Sequence, residues 1–204
     1  MKLNFVKLAK SVARVVVRAD DRQDALAELQ RRFGAEPPLP PSPIRCVLVI
    51  CHGNICRSPF AAALLARQLP ALEVRSAGLF AGNGNPAYPS GLQIAKRFDV
   101  DLESHRSAPI DDSMLSGVDL VLGMEGRHRA QFARRHPELA ARVRLLGHFL
   151  QSPPFTLPDP WGSSDDVFVR SFEQISSATK RLAHCISTSI DDRTVTTMPG
   201  ERMT

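Results

Sequence analysis

Residues 46–59 read Cys46-Val47-Leu48-Val49-Ile50-Cys51-His52-Gly53-Asn54-Ile55-Cys56-Arg57-Ser58-Pro59. Cys46 to Ile50 is a short apolar run rich in β-branched residues, the pattern of a strand, and a turn containing Gly53 ends it. An Ala- and Leu-rich stretch from about Pro59 to Gln68 reads as a helix. Leu72–Ser76 repeats the strand pattern, and a loop rich in Gly, Asn and Pro (Gly78–Pro89) leads to a helix from about Ser90 to Phe98. The alternation continues with a strand at Val118–Met124, a helix at Glu125–Arg135 and a strand at Val143–Leu146. A proline-rich loop, Ser152–Gly162, precedes a last helix from about Asp165 to Ile190. Such alternation implies an α/β fold: a four-stranded parallel sheet with helices on both faces. Ligands in these sheets bind at the carboxyl ends of the strands, so the loop after the first strand is the place to look for chemistry.

That loop is built for an oxyanion. Gly53 and Asn54 both tolerate positive φ, which lets the backbone curl and turn successive N–H groups inward. Pro59 suits the first turn of the following helix, whose N-terminus adds partial positive charge. Arg57 can grip two oxygens at once, and His52, Gly53, Asn54, Ile55, Cys56 and Ser58 supply the rest of the phosphate-binding loop. A thiol at Cys51, at the mouth of this nest, is expected to be a nucleophilic thiolate near neutrality, with Ser58 donating a hydrogen bond to it. Phosphoryl transfer to sulfur also needs a group to protonate the leaving oxygen and then to activate water. Asp159, in Leu157-Pro158-Asp159-Pro160-Trp161-Gly162, is the candidate, held on a stiff loop beside the aromatic wall of Trp161; the competing reading of an Asp between prolines is a turn residue.

Composition narrows the field. The chain has 204 residues, 43% hydrophobic and 23% charged, enough to bury one sizeable core. No apolar run approaches the roughly 20 residues that span a bilayer. The formal net charge of +5 is spread along the chain and does not mark a nucleic-acid binder. Four cysteines make no disulfide framework; the Cys51/Cys56 pair points instead to reactive thiols in a reducing compartment, hence the cytoplasm. No second Cys or His pair lies at zinc-ligand spacing, so neither a metal nor a cofactor is expected. Cys46 and Cys185 read as packing residues, His105, His128, His136 and His148 as surface or hydrogen-bonded scaffold residues, and Arg127 to Arg135 as the solvated face of a helix.

Residues 1–44 differ from the rest. Lys7, Lys10, Arg14 and Arg18 share one helical face, and Phe5, Ala9, Val12 and Val16 share another. Residues 1–18 read either as a helix lying on an anionic membrane or a partner, or as one packed on its own domain or disordered in isolation. The basic residues interrupt any apolar core of a secretory signal. A second helix is expected from Arg22 to Phe33 with Gly34 as its stop, and Pro37-Pro38-Leu39-Pro40-Pro41-Ser42-Pro43 reads as a semi-rigid linker. The expected organisation is therefore an extension (1–44), a catalytic domain (45–190) and a flexible tail (191–204).

Cys51-x5-Arg57-Ser58, directly after a short strand, resembles the low-molecular-weight protein-tyrosine phosphatases, and Asp159-Pro160 fits the position of that family's general acid. Arg75-Ser76-Ala77-Gly78, Asp119-Leu120-Val121-Leu122 with Met124-Glu125, and Leu145-Leu146-Gly147-His148 also resemble family segments. The last of these is most similar to the bacterial members that accompany capsule and exopolysaccharide export. The resemblance covers about residues 45–190. It implies a cysteinyl-phosphate intermediate on Cys51, phosphate held by Arg57 and the backbone of His52 to Arg57, a loop shaped by Asn54, and Asp159 as acid and then base. It also implies that Cys56 can trap Cys51 as a reversible disulfide. Its partner would be a phosphotyrosine protein, such as a bacterial tyrosine kinase with a Tyr-rich tail.

Two departures stand out: Trp161 where the family commonly has Tyr, and His105-Arg106-Ser107-Ala108 where it often has His-x-Ala-Arg. Three alternatives remain. Arsenate reductases of this fold use two further cysteines roughly mid-chain, and none lies between Cys56 and Cys185. Arginine-phosphate phosphatases tend to carry Thr at the position of Ile55. A non-catalytic anion-binding adaptor would need neither the thiol nor the acid.

Overall fold

The computed structural model of the protein describes residues 19–34, 38–40 and 43–196. The chain forms α1 (Ala19–Phe33), β1 (Cys46–Cys51), α2 (Arg57–Gln68), β2 (Glu73–Gly78), α3 (Pro89–Ala95), α4 (Asp112–Leu115), β3 (Leu120–Gly123), α5 (Gly126–Arg135), β4 (Val143–Leu145) and α6 (Asp165–Thr196). The strands lie in the order β2-β1-β3-β4, and every pairing is parallel. This is the four-stranded parallel sheet expected from the alternating pattern, with the connections a parallel pair requires.

All six residues of β1 are buried. Because side chains alternate across a strand, Val47, Val49 and Cys51 enter one layer and Cys46, Leu48 and Ile50 the other. The first layer holds Phe60, Leu64 and Leu65 of α2 with Phe168, Phe172, Ile175 and Leu182 of α6. There Phe60 and Phe172 stack with ring centroids 3.8 Å apart and planes at 7°. The second layer is smaller and closes under Phe132 of α5 with Val118, Val121 and Val143.

The chain leaves β1 for β2 on one side and later returns to β3 on the other. The carboxyl ends of β1 and β3 therefore flank a switch point, where α/β sheets open a crevice. Both the Cys51–Ser58 loop and the Met124-Glu125 turn empty into it.

The helix expected from Arg22 is present and begins at Ala19, whereas the reading of residues 1–18 lies outside the described residues. α1 packs on α5 with the Gln23 backbone against Gly126, and Arg129 donates to Gln30 Oε1 at 3.0 Å; Ala27 of α1 is fully buried. Arg31 donates to the His148 carbonyl at 2.7 Å. The basic run Arg127–Arg135 is thus no plain solvated face: Arg129 docks α1, and Arg135 bonds the Leu79 carbonyl at 2.7 Å while lying over the Phe80 ring. α6 continues to Thr196, past the expected end at Ile190.

Truncating Phe172 to Ala should cost about 3–5 kcal/mol, since it opens a cavity between α2 and α6, and denaturant titration would read that loss. A second expectation concerns pH. Burial, with Arg129 and Arg31 nearby, pushes the His148 imidazole down to about 4 from its ordinary 6.5. Between these values the unfolded chain binds a proton that the folded chain refuses, so this contribution is intact above pH 6.5 and is lost as the pH falls toward 4. His148→Gln should flatten the fall of the urea midpoint across that window relative to wild type.

Candidate active site

The first strand delivers Cys51 to the crevice as its last residue, and α2 begins at Arg57. Between them the backbone turns outward in a consistent way. The Cys51 carbonyl accepts from Leu79 N–H at 3.0 Å, His52 from Phe80 at 2.9 Å and Ile55 from Tyr88 at 2.8 Å, while the Asn54 carbonyl meets His105 Nε2 at 2.7 Å. With four carbonyls taken up by the surroundings, the loop's amides turn toward the cavity, as a nest for an anion requires. Cys56, the N-cap of α2, makes no side-chain cap bond, so the helix's first amides are not occupied by one.

Asn54 holds this shape. It is fully buried with φ at 54°, the left-handed region that Asn tolerates better than other side chains. Its Nδ2 donates to Ser58 Oγ at 2.9 Å and Ser76 Oγ at 3.0 Å, and its Oδ1 accepts from Ala108 N–H at 2.9 Å. Gly53 tolerates positive φ as well, but of the two only Asn54 adopts it. The close backbone approach falls at Gly78 instead, where a Cβ would stand 2.9 Å from both Asn54 N and His52 O. Glycine there lets the end of β2 lie against the loop.

Cys51 Sγ lies 3.0 Å from Ser58 Oγ and accepts from the Asn54 N–H at 3.3 Å. Arg57 is fully buried beneath it. Its Nη1 donates to Glu125 Oε2 at 2.7 Å and to the Leu157 carbonyl at 2.9 Å, and its Nη2 stands 2.6 Å from Asp159 Oδ2. Burial opposes the guanidinium's charge, yet Glu125, Asp159 and Cys51 outweigh it and hold the group above its ordinary value. Nε and Nη2, the two nitrogens on one edge of the fork, make no aligned hydrogen bond to any described residue. That edge has the geometry to take two oxygens of a phosphate.

Asp159 is the more solvated partner, its side chain 31% exposed, and Trp161 N–H donates to it at 3.3 Å. A cavity of about 320 Å³ is lined by Cys51, His52, Gly53, Ile55, Cys56, Asp159 and Trp161. The mouth is aromatic: Trp161 is 62% exposed and meets Tyr88 edge-on, and His52 lies against Phe80. Of the residues singled out from the sequence, Cys51, His52, Gly53, Ile55, Cys56, Asp159 and Trp161 line this cavity, while the buried Asn54, Ser58 and Arg57 join them through contacts to Cys51 and Asp159. Burial, reinforced by the nearby Asp159 and Cys51, pushes the Cys56 thiol well above the ordinary thiol range.

Sequence reasoning missed Glu125, although Met124-Glu125 stands at the end of β3, beside the switch point. Arg127 grips the same carboxylate at 2.7 Å. Ser76 and Ala108 were missed as loop supports, whereas His105, expected as a surface or hydrogen-bonded scaffold residue, bonds the Asn54 carbonyl at 2.7 Å.

Residues 46–193 match the model of the low molecular weight phosphotyrosine protein phosphatases. The chain is 38% identical over 132 residues to the probable low molecular weight protein-tyrosine-phosphatase EpsP of Ralstonia nicotianae, covering 65% of this chain and 89% of EpsP. It is also similar to the crystal structure of the tyrosine phosphatase Wzb of Escherichia coli K30 with sulphate, at a TM-score of 0.65 and 36% identity over 69% of this chain and 97% of Wzb. The YwlE arginine phosphatase of Geobacillus stearothermophilus superposes with a TM-score of 0.66 at 28% identity, over 77% of this chain and 99% of YwlE.

Replacing Glu125 with Ala leaves Arg57 buried without its best counter-charge. The expected cost is about 3–5 kcal/mol of stability, read by denaturant titration; a loss below about 1 kcal/mol would show that Asp159 and Leu157 suffice.

Proposed function

The chain belongs to the low molecular weight phosphotyrosine protein phosphatases, and from that premise we propose that it hydrolyses phosphotyrosine in proteins through a cysteinyl phosphate on Cys51. The observation that carries this reading is the meeting at one site of the Cys51 thiol, in contact with Ser58 Oγ and the Asn54 N–H, and of Arg57, whose Nη2 stands 2.6 Å from the Asp159 carboxylate. In the first step the Cys51 thiolate forms a bond to phosphorus as the phosphorus–phenol bond breaks. Asp159 gives its proton to the departing phenolic oxygen. In the second step Asp159 takes a proton from water, the new hydroxyl bonds phosphorus, and the sulfur–phosphorus bond breaks to return the thiolate and release phosphate. Arg57 and the loop amides hold the equatorial oxygens throughout, and Ser58 and the Asn54 N–H stabilise the sulfur as leaving group.

An aromatic substrate suits the mouth, since Trp161 offers an indole face where the family commonly has a phenol. The fold alone does not separate phosphotyrosine from phosphoarginine, because both kinds of solved structure superpose about equally. Sequence favours the former: identity is higher to the tyrosine phosphatases, and Ile55 brings an apolar side chain to the cavity. The resemblance of Leu145–His148 to exopolysaccharide-export members suggests the Tyr-rich tail of a bacterial tyrosine kinase as partner. A cytoplasmic setting accords with the reactive thiol, and no helix among the described residues is long and apolar enough to cross a membrane. We read residues 45–190 as the catalytic domain and 1–44 as an extension to it.

The test is aryl-phosphate hydrolysis at mildly acid pH under reducing conditions. Cys51→Ser should abolish turnover while still binding vanadate. Asp159→Asn should slow turnover about 10²–10⁴-fold with phosphate binding little changed. Arg57→Lys should lose much of both, since a point charge cannot replace the fork. Phosphotyrosine and phosphoarginine peptides then compare the two substrates directly. Turnover by Cys51→Ser equal to wild type would sink the mechanism.

A further inference from the structure

Arg57 is held by Glu125, the Leu157 carbonyl and Asp159, and α1 reaches the supports on both sides of it. This helix lies outside residues 46–193, the part matched to the family. On one side Asp24 Oδ1 accepts the Arg127 backbone N–H at 2.8 Å, and its Oδ2 lies 3.9 Å from Arg127 Nε. The Arg127 guanidinium in turn clasps Glu125, the partner of Arg57. On the other side Glu28 Oε2 accepts the Phe155 N–H at 2.7 Å and the Thr156 hydroxyl at 3.3 Å. These residues immediately precede Leu157 and stand just upstream of Asp159. Asp24 and Glu28 are one turn apart and share a face, with buried Ala27 beside them. Arg31, on the next turn, bonds the His148 and Leu150 carbonyls and lies over the Phe155 ring at 4.6 Å.

The contact with α5 is close. A Cβ on Gly126 would collide with the backbone carbonyl of Gln23, so only glycine lets α1 lie this near. The acid-bearing segment, by contrast, has no helix or strand of its own between Phe149 and Asp165. Its backbone is tied down by the Leu157 N–H on the Met124 carbonyl at 3.2 Å and by the charge-assisted bond from Phe155 to Glu28.

We propose that α1 is a positioning element of the active site, with Glu28 the residue that sets the loop bearing Asp159 in register with Arg57. The inference rests on the reading of Asp159 as general acid. Loss of the Glu28 bond lets residues 155–159 drift, which weakens proton delivery to the leaving oxygen while the phosphate loop, held by Asn54, keeps its shape.

The full chain is assayed for kcat/KM on para-nitrophenyl phosphate, whose leaving group needs little protonation, and on phenyl phosphate, whose leaving group needs it. Glu28→Ala should lose about tenfold on phenyl phosphate and under about threefold on para-nitrophenyl phosphate, with inhibition by inorganic phosphate unchanged within about twofold. Glu28→Asp falls one methylene short of the Phe155 N–H and should behave alike, which keeps the test open if the Ala variant does not fold. Glu28→Gln retains an acceptor oxygen and should restore the wild-type ratio between the two substrates. Equal losses on both substrates, or no loss, would overturn the positioning role. Asp159→Asn run alongside separates the two levels: a leaving-group bias there with none in Glu28→Ala removes only the role of α1, whereas no bias in Asp159→Asn removes the acid assignment and the inference with it.

Discussion

A fully buried guanidinium organises this molecule. An unpaired charge in a protein interior costs several kcal/mol, so Arg57 can sit beneath the phosphate loop only where acceptors converge on it. They come from distant parts of the chain: Glu125 from the end of β3, and the Leu157 carbonyl and Asp159 from the loop before α6. The strand order brings β3 beside β1, which places Glu125 at the switch point. Nη2 stands against the Asp159 carboxylate and Nη1 against Glu125 and Leu157, so one side chain ties the loop before α6 to the end of β3.

The two thiols of the loop show how position sets chemistry. Cys51 ends a strand and has Ser58 Oγ and the Asn54 N–H directed at its sulfur. Cys56 precedes α2 in an apolar setting, where burial above all, with Asp159 nearby, disfavours its thiolate. The two thiols of one loop thus meet different neighbours, hydrogen-bonding groups at Cys51 and an apolar enclosure at Cys56.

Much of this was legible because the phosphate loop is contiguous. A strand ending at Cys51, a turn tolerating positive φ, and Arg57 and Ser58 opening a helix all lie within a few residues, where spacing speaks directly to geometry. Asp159 was legible only as a carboxylate on a stiff loop. Glu125 was not, since its partner is 68 residues away and the choice depends on which strands become neighbours. The shared role assigned to Gly53 and Asn54 fell to Asn54, because its side chain could lock the turn to Ser58, Ser76 and Ala108 where glycine offers nothing to bond. The basic run of α5 looked like a solvated face because composition does not reveal that another helix lies across it.

That crossing leaves a mark at Gly126. The helix and this glycine are geometrically a single character, since the backbone of α1 occupies the space a side chain at position 126 would need. A descendant that lost the leading helix would be freed to vary there, and one that acquired a side chain first would have to push the helix away. Position 126 therefore cannot change independently of the leading helix, because any side chain there must be met by a shift of the Gln23 backbone.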